Sequence, residues 1–178
     1  MQASEPLPVK LFSGVLYSNE ELYEKALVLL SEKYGQIDYK SPKFDFVITN
    51  YYEAEMGAPI TRTFISFREV INPKDIASIK IECNQIEKML EIEGKRKVNL
   101  DPGYMDYDKV VLASAKYNAQ KIYLDFGIYA DPTLRYEKGH FKTSEWCFPD
   151  FKTGQYEHVF LHIRAKYKGQ MRKMMKEL

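Results

Sequence analysis

A chain of 178 residues with 26 Lys and Arg against 25 Asp and Glu carries a formal net charge of +1, which excludes a uniformly basic nucleic-acid binder. Hydrophobic content of 45% with 29% charged residues excludes extended disorder and suits one globular domain over residues 1–178, large enough to bury a core without disulfides or a structural metal. The two cysteines, Cys83 and Cys147, build no disulfide framework and belong to no CxxC pair or Cys/His cluster, and no apolar run approaches the roughly 18 residues of a membrane span.

The opening MQASEPLPVK has neither a basic n-region nor an apolar h-region, so the expected compartment is the cytoplasm, with no membrane partner. The run VKLFSGVLY over 9–17 is apolar on both faces and predicts a central strand. Ser18 and Glu21 form a capping box, and Leu22, Ala26, Leu29 and Leu30 then recur at helical spacing until Gly35 stops the helix. After Ser41-Pro42, the alternation of Phe44, Phe46 and Ile48 predicts a strand, TNYYEAEMG a polar aromatic loop, and ITRTFISFREV over 60–70 a second strand paired antiparallel with the first. Asn72-Pro73-Lys74-Asp75 starts a helix whose apolar stripe is Ile76, Ile79, Cys83, Ile86 and Leu90 and whose stop is Gly94. Cys83 on that stripe reads as a buried structural thiol.

A basic triplet, Lys95 to Lys97, leads next into a short strand, an Asp101-Pro102-Gly103 turn and a helix from about Asp106 with Val110, Val111 and Ser114 on one face. Strands are expected over 121–126 and 128–136, the latter bulged or at an edge because of Pro132, with Glu137-Lys138-Gly139-His140 as a hairpin turn. An aromatic loop over 143–154 precedes a closing helix from Gln155, which sets Val159, Phe160, Ile163, Tyr167, Met171, Met174 and Met175 against a basic face. The order indicates an α+β fold: a mixed, mostly antiparallel sheet with helices packed on it, beginning like a ferredoxin-like split βαβ unit and extended by a β-hairpin and a C-terminal helix.

Phosphate-loop, dinucleotide, serine-hydrolase and zincin motifs are missing from the sequence, so it names no cofactor. His158 and His162 stand four apart on the last helix without a third ligand, and no metal is assigned. Fourteen Tyr, ten Phe and one Trp exceed what the core needs, so some aromatic surface is expected to face a groove or partner. Three candidate regions follow. At 96–104, Arg96 and Lys97 are expected to hold an anion with help from the N-terminal dipole of the helix after Asp106, and Asn99 and Asp101 to fix hydroxyls beside Tyr104, against the weightier reading of Asp-Pro-Gly as turn chemistry alone. At 51–55, Tyr51 and Tyr52 accompany Glu53 and Glu55, two carboxylates suited to a cation or to acid/base work, although a solvated acidic loop explains them as well. Trp146, Phe148 and Phe151 offer rings for stacking, with packing over an open sheet face at least as good an explanation, and Arg135 is a further ligand-binding candidate.

TNYYEAEMG, NLDPGY, KVVLASAK, KIYL, GIYADPTLRY and WCFPDF together resemble the successive motifs of the bacterial and archaeal family called domain of unknown function 4416. The resemblance spans nearly the whole chain and implies no activity, since the family has none assigned. Before KIYL, members similar to this chain often carry Ser-His-Arg, whereas Ala119-Gln120-Lys121 stands here, so a catalytic histidine at that place does not carry over.

The first expectation is therefore a domain that binds a small anionic, nucleotide-like or phosphorylated molecule. The second is a hydrolase or transferase on such a substrate, with Glu53, Glu55 or Asp101 as acid/base groups. The third is a nucleic-acid-associated or scaffolding protein using the last helix, where six Lys or Arg stand against two Glu from position 155 onward.

Overall fold

The apolar run that begins the fold is buried at all 9 positions of strand β1 (Val9–Tyr17), as a strand covered on both faces must be. The computed structural model describes residues 2–177. Helix α1 (Glu20–Tyr34) follows, but its N-cap is Asn19, which accepts from the Leu22 amide; Ser18, one residue earlier, donates instead to the Met56 carbonyl at 2.5 Å. Strand β2 (Ile37–Lys40) lies where no strand was expected, and the alternation after Pro42 yields only the short β3 (Phe44–Asp45). Helix α2 (Glu53–Met56) and strand β4 (Thr61–Ile71) come next. Asn72 caps a 3-10 turn that runs into helix α3 (Ile76–Met89); Gly94, the expected stop, instead takes a φ of 71° in a separate tight turn.

The largest departure from the sequence reading falls at 101–114. Asp101-Pro102-Gly103 is no turn: it lies inside strand β5 (Val98–Met105), opposite Gly14, Ser13 and Phe12. The expected helix from Asp106 is strand β6 (Lys109–Ser114). Proline is tolerated because β5 pairs with β6 only from Gly103 onward, so the missing N–H falls where no strand asks for it. Gly103 answers to space rather than to φ, since a Cβ there would lie 2.5 Å from the Val111 carbonyl oxygen and 2.8 Å from Phe12 Cζ. Asp106 accepts from the Asp108 and Lys109 amides, which is the chemistry of a helix cap employed in a strand-to-strand turn. Strands β7 (Ile122–Asp125), β8 (Ile128–Glu137) and β9 (His140–Thr143), helix α4 (Pro149–Lys152) and helix α5 (Glu157–Glu177) complete the chain. The expected bulge at Pro132 is present as a register shift opposite Val110 and Val111, and Lys138-Gly139 make the hairpin turn.

Among the described residues, nine strands form one antiparallel sheet in the order β2-β4-β1-β5-β6-β8-β7, with β3 on β4 and β9 on β8. Its first half, β2-β4-β1-β5 with α1 and α3 as crossovers, is the ferredoxin-like unit that the element order predicts. Leu11, Val15, Ile65, Phe67 and Leu100 face α1 and α3, while Phe12, Phe64, Met105, Val110 and Leu112 face α5 through Val159, Phe160 and Ile163. Lys10, fully buried, fastens α5 to the sheet edge: its Nζ donates to Asp38 Oδ2 (2.9 Å), the Phe67 carbonyl (2.6 Å) and Gln170 Oε1 (2.9 Å). Met174 and Met175 lie exposed beyond this packed stretch. No helix among the described residues is long and apolar enough to cross a membrane.

Gly103→Ala forces a Cβ into the β5–β6 contact, where backbone cannot yield; urea unfolding is expected to show a loss of about 1–3 kcal/mol, as for overpacked cores. An unchanged midpoint would mean that the two strands separate more easily than their packing implies.

Candidate functional site

Beyond the Gly103–Leu112 pair, β5 and β6 part, and the sheet forks. Leu100 thereby lacks a strand partner on one side, and α3 supplies the replacement: the Leu100 amide donates to Glu87 Oε1 at 2.7 Å and Lys80 Nζ donates to the Leu100 carbonyl at 2.6 Å. A cavity of about 320 Å³ occupies the fork. Its floor is α3 (Lys80, Asn84, Glu87), its walls are Asn99 and Asp101 of β5 and Ser114 and Lys116 at the end of β6, and Tyr51, Tyr52 and Phe148 close it from above. A smaller pocket of about 80 Å³ continues over Gly14 and shares Tyr52, Asp101, Leu112 and Phe148 with the first.

The wall between the two chambers is built on Arg62. Its buried guanidinium donates to Asp101 Oδ2 (3.0 Å) and, from its other side, to Asp150 Oδ2 (3.4 Å) on α4, which also accepts from the Tyr156 hydroxyl (3.2 Å). Gly14 lies beneath it, where a Cβ would stand 3.0 Å from Arg62 Nη1 and push the guanidinium aside by a few tenths of an ångström. The rings of Phe46 and Phe64 lie 5.3 and 5.7 Å from the guanidinium carbon. Burial pushes the Asp101 carboxyl up, but the charges of Arg62 and Lys80 more than offset it and hold it below the usual carboxylate range. Glu87 goes the other way: burial raises it in spite of Lys80, the Leu100 amide and Arg96.

Arg96 joins three elements. Nε and Nη2 take both oxygens of Glu55 at 2.7 and 2.8 Å, and Nη1 donates to Glu87 Oε2 (3.1 Å) and Asn99 Oδ1 (2.8 Å). Together with Lys97 Nζ on the Met56 carbonyl (3.0 Å), this fixes the 51–56 segment over the cavity. Asn99 is thereby oriented, and its buried Nδ2 has no hydrogen-bond partner; it approaches Asp101 closely enough to lower that pKa without closing a bond.

A family model, Domain of unknown function (DUF4416), matches residues 7–167. The chain belongs to that family. No curated protein and no solved structure matches it.

Within this DUF4416 domain, the candidates from the two halves of the sequence meet: Tyr51, Tyr52, Arg96, Asn99 and Asp101 line one cavity. Glu55 reaches it only through Arg96, and Glu53 is exposed on α2. Tyr104 lies on the opposite face of β5, against the α1–α3 core. Arg135 is exposed and donates to Glu137 at 3.0 Å, and Trp146 is 66% exposed outside the cavity, whereas Phe148 lines both chambers and Phe151, a core residue, borders the smaller one. His162 stacks on Tyr39 and His158 lies tilted against Phe44, and the described residues hold no group of three or more His, Cys, Asp or Glu placed to bind a metal. Burial pushes both thiols, Cys83 and Cys147, up to about 12, so neither is a nucleophile near neutral pH. Of the basic face of α5, Arg164 is turned inward, donating to the Tyr107 carbonyl at 2.9 Å and lying over the Tyr136 ring.

Sequence reasoning passed over Arg62, Lys80, Glu87, Lys116 and Asp150. For two of them the signal was present: Lys80 and Glu87 stand seven apart, in phase with Ile76, Cys83 and Leu90, so two charges sit on a stripe otherwise apolar. Arg62 shares a buried strand face with Phe64, and nothing local announces its partners, which lie 39 and 88 positions away.

Arg62→Met leaves Asp150 buried without its cation and is expected to cost about 3–5 kcal/mol in urea unfolding. The lowered Asp101 pKa carries a definite sign. Its stabilising contribution is complete above the unfolded value of about 3.9 and drains away as the pH falls through the folded one. Asp101→Asn should flatten the acid limb of stability against pH, and an acid limb identical to wild type would show that Asp101 is not held by Arg62.

Proposed function

We propose that the forked cavity binds a small anionic molecule of nucleotide-like or otherwise phosphorylated character. The observation that carries this reading is the pairing, in one cavity, of an aromatic roof with an uncompensated cation. Lys80 and Arg96 are balanced by Glu87 and Asp101 in the lining, whereas Lys116, at the mouth, has no carboxylate partner among the described residues and sits 4.8 Å from the centre of the Tyr51 ring. A planar group would lie against Tyr52 and Phe148, with its anionic end toward Lys116. Arg96 is not the anion's ligand here, because Glu55, Glu87 and Asn99 already engage its guanidinium. Its part is to hold the roof.

A second reading, a hydrolase or transferase acting on such a substrate, is favoured by one observation: Asp101 and Glu87 line the same cavity with pKa values displaced in opposite directions. Environments that separate two carboxyls in this way assign one as base and the other as acid. Glu53 and Glu55 have no place in that chemistry, the first being outside the cavity and the second clamped by Arg96.

Thermal-shift screening of nucleotides and sugar phosphates tests the binding reading. At least one phosphorylated compound should stabilise the protein, and Lys116→Ala should weaken its affinity about tenfold, close to 1.4 kcal/mol, while leaving the free protein's melting temperature unchanged. A panel without a hit, or a hit indifferent to Lys116, would remove the anion from the proposal.

A further inference from the structure

We infer that Asn99 and Asp101 form a diol-reading pair, so that the ligand of this cavity carries adjacent hydroxyls of the ribose type. The inference deepens the binding reading and rests on it for the anionic end alone. The two side chains are two residues apart on β5, so they point to the same face and stand side by side. One offers a donor without an acceptor. Asn99 Nδ2 is buried and unpartnered, and the Arg96 hydrogen bond to Oδ1 prevents the amide from turning over to satisfy it within the protein. Leaving such a buried donor unmade is unfavourable, so the position calls for an acceptor from outside. The other offers an acceptor without a proton: Asp101 is fixed by Arg62 through Oδ2, its side chain is 29% exposed, and it opens on both chambers.

The chemistry that suits such a pair is narrow. A phosphate oxygen would meet the Asp101 carboxylate as a like charge, and a cationic amine would meet Arg62, Lys80 and Arg96 around it. A hydroxyl satisfies both partners at once, since it donates to the carboxylate and accepts from the amide. A carboxylate has room for a second donor, which an adjacent hydroxyl supplies. The remaining carboxyl of the lining, Glu87, is already held by the Leu100 amide and Arg96, so it does not compete for them. With the planar group under Tyr52 and Phe148 and the anion at Lys116, hydroxyls at Asn99 and Asp101 complete a ribonucleotide-like outline.

The probes are the four common ribonucleoside 5′-monophosphates, their 2′-deoxy counterparts, ribose 5-phosphate, 2-deoxyribose 5-phosphate and the four uncharged ribonucleosides with their 2′-deoxy forms, titrated by calorimetry into the full chain. The ribo forms should bind at least about tenfold more tightly than the 2′-deoxy forms, because the deoxy forms keep only one of the two adjacent hydroxyls and leave part of the pair's hydrogen bonding unmade. Asn99→Asp keeps an oxygen for Arg96 and removes the donor, and Asp101→Asn removes the anionic acceptor; each should reduce the ribo preference to within about twofold. Ribo and deoxy forms of equal affinity in wild type, or a preference that survives both substitutions, overturns the inference and leaves the anionic reading standing. Ribose preference among the uncharged nucleosides, with monophosphates that bind no better and ignore Lys116→Ala, does the reverse. No binding by any probe up to millimolar concentration overturns both.

Discussion

A backbone amide and carbonyl at Leu100 have to be satisfied somewhere, and the fold meets that requirement with side chains instead of a strand. Glu87 and Lys80 of α3 take the two groups that β6 would otherwise pair, and because they do, β6 is free to diverge after Leu112. The cavity is the space that this substitution leaves. The two charges that stabilise the fork also line it, so the packing of helix on sheet and the polarity of the site have one origin.

Charge is arranged around that fork in pairs that cross long distances in sequence. Arg62 draws Asp101 of β5 and Asp150 of α4 together over the bare backbone of Gly14, and Arg96 draws α2, α3 and β5 together. A buried arginine without its carboxylates would be costly, so each pair positions a wall of the cavity as a condition of folding. The environments that result are unequal: Lys80 acts on both carboxyls, but with Arg62 it outweighs the burial of Asp101, whereas with Arg96 it fails to overcome the burial of Glu87. Two carboxyls in one cavity therefore differ in readiness to accept a proton, by placement alone.

The parts of the fold that sequence revealed are those governed by neighbours along the chain. The two-faced run of β1, the helical spacing of α1 and α3 and the Lys138-Gly139 hairpin are local patterns, and the ferredoxin-like beginning follows from their order. The stretch 101–114 misleads for a physical reason: Pro102, Gly103 and Asp106 are turn and cap residues by chemistry, yet here they answer to an unpaired edge, a close strand approach and a strand-to-strand turn. Strand β2 is short and only half-buried, so it has little alternation to display. At the site, Tyr51, Tyr52, Asn99 and Asp101 were legible as polar and aromatic residues in irregular-looking segments, but their meeting was not. Arg96 and Glu55 were legible as charges and not as each other's partners, since pairing over 41 positions is set by the sheet order alone.

The Lys10 ammonium, closed in by Asp38, the Phe67 carbonyl and Gln170 with no exposed surface, has a further consequence. Burial also pushes its pKa down, which would ordinarily favour attack by an amine on an acylating reagent. Here the nitrogen cannot be reached, so among the lysines of this chain Lys10 acylates only in molecules whose last helix has come away from the sheet. Labelling of Lys10, slower than that of exposed lysines, would time that opening.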